Sequence, residues 1–201
     1  MQRTILSLSA FVFCVAAHSA FAGNFADVVT AGNAAATPGT NVDIPLFIRD
    51  SSATALGIDQ PAGSRIQSYA IKVDYAPAAS VQSVTFSRAG ITAALTPTFE
   101  STPTSAGSIS VLDTFAESTN LIPFTSNAAL PGNQIGVLHF VLAASAVPGS
   151  VTLTLDATLT QLSNESGTTT ERTTTANLSL VNGAITVNPS TPVRLQSFDV
   201  H

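Results

Sequence analysis

The sequence predicts an all-β protein, an antiparallel β-sandwich of about nine strands, and three observations carry that prediction. Apolar residues recur at every second position in window after window, the period of a strand with one buried face. No stretch of twelve residues shows a convincing helical period. Hydroxyl groups stand where charge would be expected: 23 Ser and 26 Thr against only 9% charged residues. With 45% hydrophobic residues, that composition suits a pleated, half-buried surface and a folded chain. A chain of 201 residues is long enough for one well-filled domain. Seven Lys plus Arg against twelve Asp plus Glu, with no basic run, exclude a nucleic-acid footprint.

Within residues 1–22, Arg3, an apolar stretch over 5–17 and the small-x-small triplet Ala20-Phe21-Ala22 read as a secretory signal peptide. Residues 23–188 then form the sandwich and 189–201 a C-terminal tail. The single cysteine, Cys14, falls in the signal, so the mature chain must rely on a hydrophobic core rather than on disulfides. No further long apolar run follows, and no transmembrane segment is expected in the mature chain. The expected location is secreted: extracellular, cell surface or periplasm.

The strands follow in order. Over 40–50, Val42, Ile44, Leu46 and Ile48 point inward, while Asn41, Asp43, Phe47 and Arg49 point outward. Pro45 on the outward set lacks a ladder donor and predicts an edge strand or a bulge. Over 66–75, Tyr69, Ile71, Val73 and Tyr75 point inward, and Ser68, Ala70, Lys72 and Asp74 outward. Residues 81–88 supply Val84 and Phe86, and 108–114 form another strand. Over 134–142, apolar residues lie on both faces, which predicts a central strand. After the turn at Pro148-Gly149, Val151, Leu153 and Leu155 alternate with Thr152, Thr154 and Asp156. Asn182-Gly183 between 177–181 and 184–187 predicts a hairpin, since a type I′ turn needs positive φ at both central residues. Two long connections remain, 49–65 and 113–133, and the tract 168–175 reads as a solvated edge or loop.

Residues able to do chemistry are sparse. His139 is the one histidine within a predicted element, and a triad needs a nucleophile and an acid converging on it. The sequence nominates neither. Asp113 and Glu117 flank a strand end and read as a solvated loop entrance rather than as a glycosidase pair. Asp50, Asp59 and Asp156 are loop carboxylates that could share an ion, but no Asp-rich calcium loop or His/Cys cluster occurs. No catalysis, metal or other cofactor is expected.

Four segments, in one order, resemble the cohesin domain family. They are Pro38-Gly39-Thr40 running into Val42-Asp43-Ile44-Pro45; YAIKVDYAP over 69–77; GVLHFVLAASAVPGSVTLT over 136–154, similar to a family hairpin; and NGAITV over 182–187. The resemblance spans about 28–187. It implies a nine-stranded jelly roll, related in fold to some carbohydrate-binding modules, that docks calcium-loaded dockerins in polysaccharide-degrading assemblies. It further implies a docking sheet presenting Ser68, Ala70, Lys72 and Asp74, with neighbours from the sixth and eighth strands. Ala70 stands where many members carry Asn or Asp, and the corner Tyr75-Ala76-Pro77 lacks the family's acid.

The expected partner is accordingly a dockerin-like protein. A polysaccharide is the alternative, with Phe47 as its platform on an outward strand face. The absence of Trp, and the inward setting of Tyr69 and Tyr75, weigh against sugar. A structural role at the cell surface, through an edge strand pairing with another chain, is the third expectation.

Overall fold

The computed structural model describes residues 26–51, 54–57, 60–61, 63–115, 120–123 and 129–190. The proposed signal peptide, most of the tail, Asp59 and Glu117 lie outside them. Fourteen strands follow one another: β1 Asp27–Ala31, β2 Asn33–Ala36, β3 Asn41–Arg49, β4 Ser68–Ala76, β5 Val81–Arg88, β6 Phe99–Ser101, β7 Thr104–Ser105, β8 Ser108–Thr114, β9 Asn133–Leu142, β10 Gly149–Leu155, β11 Gln161–Ser163, β12 Thr170–Arg172, β13 Leu178–Val181 and β14 Gly183–Val187. They form two sheets. One runs β13-β1-β3-β9-β5; the other runs β12-β11-β4-β10-β14-β2, with β8 on the far side of β4 and β6 and β7 on β8.

The period-two reading places the core correctly. Ile44, Leu46 and Ile48 of β3, Leu138, Phe140 and Leu142 of β9, Ile71 and Val73 of β4, and Ile109 and Val111 of β8 are all buried between the sheets. Tyr75 of one sheet meets Phe140 of the other edge to face at 5.6 Å, which marks the sandwich as closed. Each such aliphatic side chain contributes about 1.5–3 kcal/mol when removed from water, so the paired inner faces dominate stability. β9 is central, between β3 and β5, as its two apolar faces predicted.

Several finer expectations are corrected. Pro45 lies on an interior strand, and of the two expected alternatives the bulge holds: the register with β9 shifts between Leu46 and Phe47, while the donorless Pro45 nitrogen faces Gly32, whose amide donates to the Pro45 carbonyl where β1 leaves the sheet. The Asn182-Gly183 step is not a hairpin: β13 pairs with β1 in one sheet and β14 with β10 and β2 in the other. Both ends of the domain therefore switch sheets, β1 to β2 at Gly32 and β13 to β14 at Gly183, and they run parallel through the crossing. A Cβ on Gly183 would stand 2.1 Å from the Gly32 carbonyl oxygen. Glycine is needed there for close backbone approach. The segment over 136–154 likewise crosses between sheets, since β9 and β10 belong to different ones.

The tract 168–175 is not simply solvated either. It contains β12, whose Glu171 is fully buried against Asp27 at the start of β1. Asp27 Oδ1 accepts from the Ser51 amide at 2.7 Å and the Thr54 hydroxyl at 3.0 Å, and Glu171 Oε1 accepts from the Leu56 amide at 3.1 Å. The two carboxyls adjoin, Asp27 Oδ2 and Glu171 Oε2 being buried without any other hydrogen-bond partner, and burial raises both above the ordinary carboxylate range, so we infer that the pair shares a proton. This pair ties the long connection after β3 to both ends of the domain.

Candidate functional site

The outward side of β4 is a continuous half-buried row of Ser68, Ala70, Lys72 and Asp74. Antiparallel pairing sets β8 beside it in register, Ser68 opposite Thr114, Ala70 opposite Leu112 and Lys72 opposite Ser110. Paired residues share a face, so Ser110, Leu112 and Thr114 extend the same surface. Ser68 and Thr114 join their hydroxyls at 3.0 Å. On the far edge Phe99 of β6 pairs with Thr114 and is 54% exposed.

The opposite flank of β4 is interrupted, and the interruption makes a recess. β10 pairs with the C-terminal half of β4 and β11 with the N-terminal half, while residues 156–160 bulge out between them. Thr160 takes the place of a ladder carbonyl, its hydroxyl accepting from the Lys72 amide at 3.3 Å. Asp156 holds the bulge, its Oδ1 accepting from the amides of Thr158 at 2.8 Å and Leu159 at 3.0 Å. Leu159 is thereby presented to solvent, 55% exposed. The hollow, about 350 Å³, is lined by Ala70, Lys72, Ser110, Leu112, Thr158, Leu159, Gln161 and Arg172, with Ile71 at its base.

Besides Arg172, the cation at this hollow is Lys72. Lys72 Nζ lies 3.0 Å from Asp74 Oδ1 and 3.0 Å from Asp156 Oδ2. Hydrogen bonds to Asp74 and then Asp156 raise the ammonium above its ordinary range, and the bond from Lys72 holds the Asp156 carboxyl below its own. The ammonium is thus held between two acids, with one long side chain laid across the floor of the hollow.

All four residues expected on the docking strand lie on this one surface. Phe47 does not: it is half-buried on β3, in the other sheet. Tyr69 and Tyr75 are buried, as expected. Phe99, Leu112, Leu159, Gln161 and Arg172 escaped the sequence reading. For Leu112 a signal existed, the outward set of 108–114; Leu159 follows an ordinary Asp-capped turn and carries none.

The remaining carboxylates and the histidine fall elsewhere. Asp113 is buried at 1% exposure, not at a solvated entrance, and accepts a 2.5 Å hydrogen bond from the Tyr69 hydroxyl. Burial pushes its carboxyl up to about 6. Asp50 and Asp156 do not converge, since Asp50 lies with Asp27 and Glu171 and Asp156 with Lys72. Among the described residues no group of three or more His, Cys, Asp or Glu side chains is arranged to hold a metal ion. His139 has both neighbours that the sequence could not name: Asp43 at 2.7 Å and Ser87 at 2.8 Å, on the outer face of the β3-β9-β5 sheet.

No family model matches the chain, and no curated protein does. Solved structures do. The sixth cohesin of scaffoldin B from Acetivibrio cellulolyticus, in complex with a Cel5 dockerin, superposes with a TM-score of 0.58 at 15% identity, covering 81% of this chain and 99% of that one. An OlpA cohesin of Clostridium thermocellum, also solved with a dockerin, gives 0.57 at 13% identity over 81% and 99%. A non-cellulosomal cohesin of the archaeon Archaeoglobus fulgidus gives 0.51 at 14% identity over 81% and 91%. The chain therefore has a cohesin-like fold, spanning nearly the whole of each neighbour.

Proposed function

We propose that this cohesin-like sandwich is a secreted binding module that docks a dockerin-like helical protein through the outer face of the β4-β8 sheet, a face that does no catalysis, within an extracellular polysaccharide-degrading or surface assembly. The observation that carries the reading is the hollow beside Lys72, edged by exposed Leu159 and continuous with the hydroxyl row that leads to exposed Phe99. An apolar anchor beside a charge held by two acids, within a polar surround, is the anatomy of a protein interface. That two of the structural neighbours were solved with dockerins supports the choice of partner.

Sugar binding has less support on this surface. Flat stacking needs an exposed ring on a rigid face. The sole strongly exposed aromatic among the described residues is Phe99, on a three-residue edge strand, while Phe47 is half-buried.

Titration of the protein with calcium-loaded dockerin modules, read by calorimetry, tests the proposal. Leu159→Asp should weaken the complex at least about tenfold, some 1.4 kcal/mol. Lys72→Glu combined with Asp74→Lys should do likewise, because the carboxylate introduced on β4 would then face that of Asp156. Binding that ignores both changes sinks the face assignment, and a panel of dockerins that all fail to bind sinks the reading. Retention on an insoluble polysaccharide that is lost in Phe47→Ala would favour the sugar platform instead.

A further inference from the structure

The outer face of the other sheet carries an arrangement that docking does not use. Asp43 of β3, His139 of β9 and Thr85 of β5 stand directly opposite one another across three adjacent strands, and Ser87 is one outward position further along β5. The imidazole is held at both nitrogens: Nδ1 is 2.7 Å from Asp43 Oδ1, and Nε2 is 2.8 Å from Ser87 Oγ. With the acid accepting from Nδ1–H, the tautomer is set and Nε2 is left to accept the serine proton. The same polarity activates serine nucleophiles in general, and here it rests on strand interiors, which hold side chains more rigidly than loops do. The imidazole is 41% exposed and Ser87 is exposed, so a reagent can reach the hydroxyl from solvent.

We propose that Ser87 is an activated nucleophile, with His139 as its base and Asp43 as a positioning residue, that accepts acyl groups from small activated esters. The Ser87 oxygen bonds to the ester carbonyl carbon as its proton passes to His139 Nε2. The bond from that carbon to the leaving oxygen then breaks, and the departing alcohol or phenol takes the proton. Water attacks the acyl-serine by the reverse proton route, releasing the acid and restoring the hydroxyl. β5 pairs with β9 alone, so half of its amides serve that ladder and the others point to the open edge in the plane of the sheet rather than to the face that carries Ser87, and a developing oxyanion is left to water. That restricts the substrates to esters with good leaving groups, aryl acetates foremost, and keeps turnover slow. The inference does not rest on the docking proposal, whose surface belongs to the opposite sheet.

Treatment of the whole protein with a fluorophosphonate, followed by peptide mass mapping, tests it. The adduct should form on Ser87 at least roughly tenfold faster than on exposed Ser83 and Thr85 of the same strand, a modest share of what a general base supplies. His139→Gln should abolish that preference, Asp43→Asn should reduce it and Asp43→Glu should restore part of it. Release of p-nitrophenol from its acetate should fall to the solvent blank in Ser87→Ala. All these side chains lie on the solvent face of the sheet, outside the core, so the variants keep the fold. Labelling spread evenly over the strand hydroxyls, a preference that survives His139→Gln, or ester cleavage unchanged in Ser87→Ala overturns the proposal.

Discussion

Between pH 5 and pH 9 the unfolding free energy of this protein should fall as pH rises, the reverse of ordinary acid denaturation. The cause is the Asp27–Glu171 pair, fully buried, with Asp50 beside both. Burial, then the bond to Glu171 and its charge, raise Asp27 far above the carboxylate range, and burial raises Glu171 as well. The folded state therefore keeps a proton that the unfolded chain gives up near pH 4. Stability from this site is fully present below that point and is lost as pH climbs through the folded value. With one extra proton in the folded state, the slope approaches about −1.4 kcal/mol per pH unit. Asp113, pushed up to about 6 by burial, adds to the slope between roughly pH 4 and 6. Urea midpoints at pH 5, 6, 7 and 8 measure it; midpoints that rise toward pH 8 would refute the shared proton. Glu171→Gln is the sharper version. The amide oxygen can still accept from Leu56, and its N–H can donate to an ionised Asp27, so no proton is needed. The slope above pH 6 should shrink by more than half, and an unchanged slope would place its origin elsewhere.

What the sequence shows and hides follows from how local each feature is. Tyr69, Ile71, Val73 and Tyr75 alternate with Ser68, Ala70, Lys72 and Asp74 within one strand, so both the core row and the outward row proposed for docking could be placed from nine residues. Asn182-Gly183 has the local chemistry of a hairpin. What decides its role is the Gly32 carbonyl 2.1 Å from where a Cβ would sit, and that comes from the other end of the domain. Glu171 sits in a run of threonines and reads as solvated until β12 brings it to Asp27 and the Leu56 amide. His139 stands alone in the sequence for the same reason: Asp43 and Ser87 reach it only because β3 and β5 flank β9. A period of two says which way a side chain points and nothing about which strand lies next to it. The exposed Leu159 is a third kind of omission, since it depends on where pairing to β4 passes from β10 to β11.

Tyr69→Phe should cost about 2–3 kcal/mol at pH 7.5 and only about 1 kcal/mol at pH 4.5. Phenylalanine fills the same volume, so no cavity opens and the loss is that of the hydroxyl. At pH 7.5 that hydroxyl serves an ionised Asp113 at 2.5 Å, in a site where the other carboxylate oxygen is buried without a hydrogen bond. Removing the donor strands a buried charge. Below its folded value near 6 the Asp113 carboxyl is neutral, and only an uncharged hydrogen bond is lost. Adding Asp113→Leu should recover part of the loss at pH 7.5, because replacing both partners by apolar groups removes the stranded charge. A cost that does not change with pH, or that Asp113→Leu deepens, would mean the pair acts through packing alone. The pair bears on function through geometry: Tyr69 lies opposite Asp113 in the β4–β8 ladder, directly between the outward pairs Ser68–Thr114 and Ala70–Leu112. Its hydrogen bond fixes from the inside the register that aligns the outward rows proposed for docking, so on that proposal Tyr69→Phe should weaken partner binding as well as stability, although none of the proposed docking residues is touched.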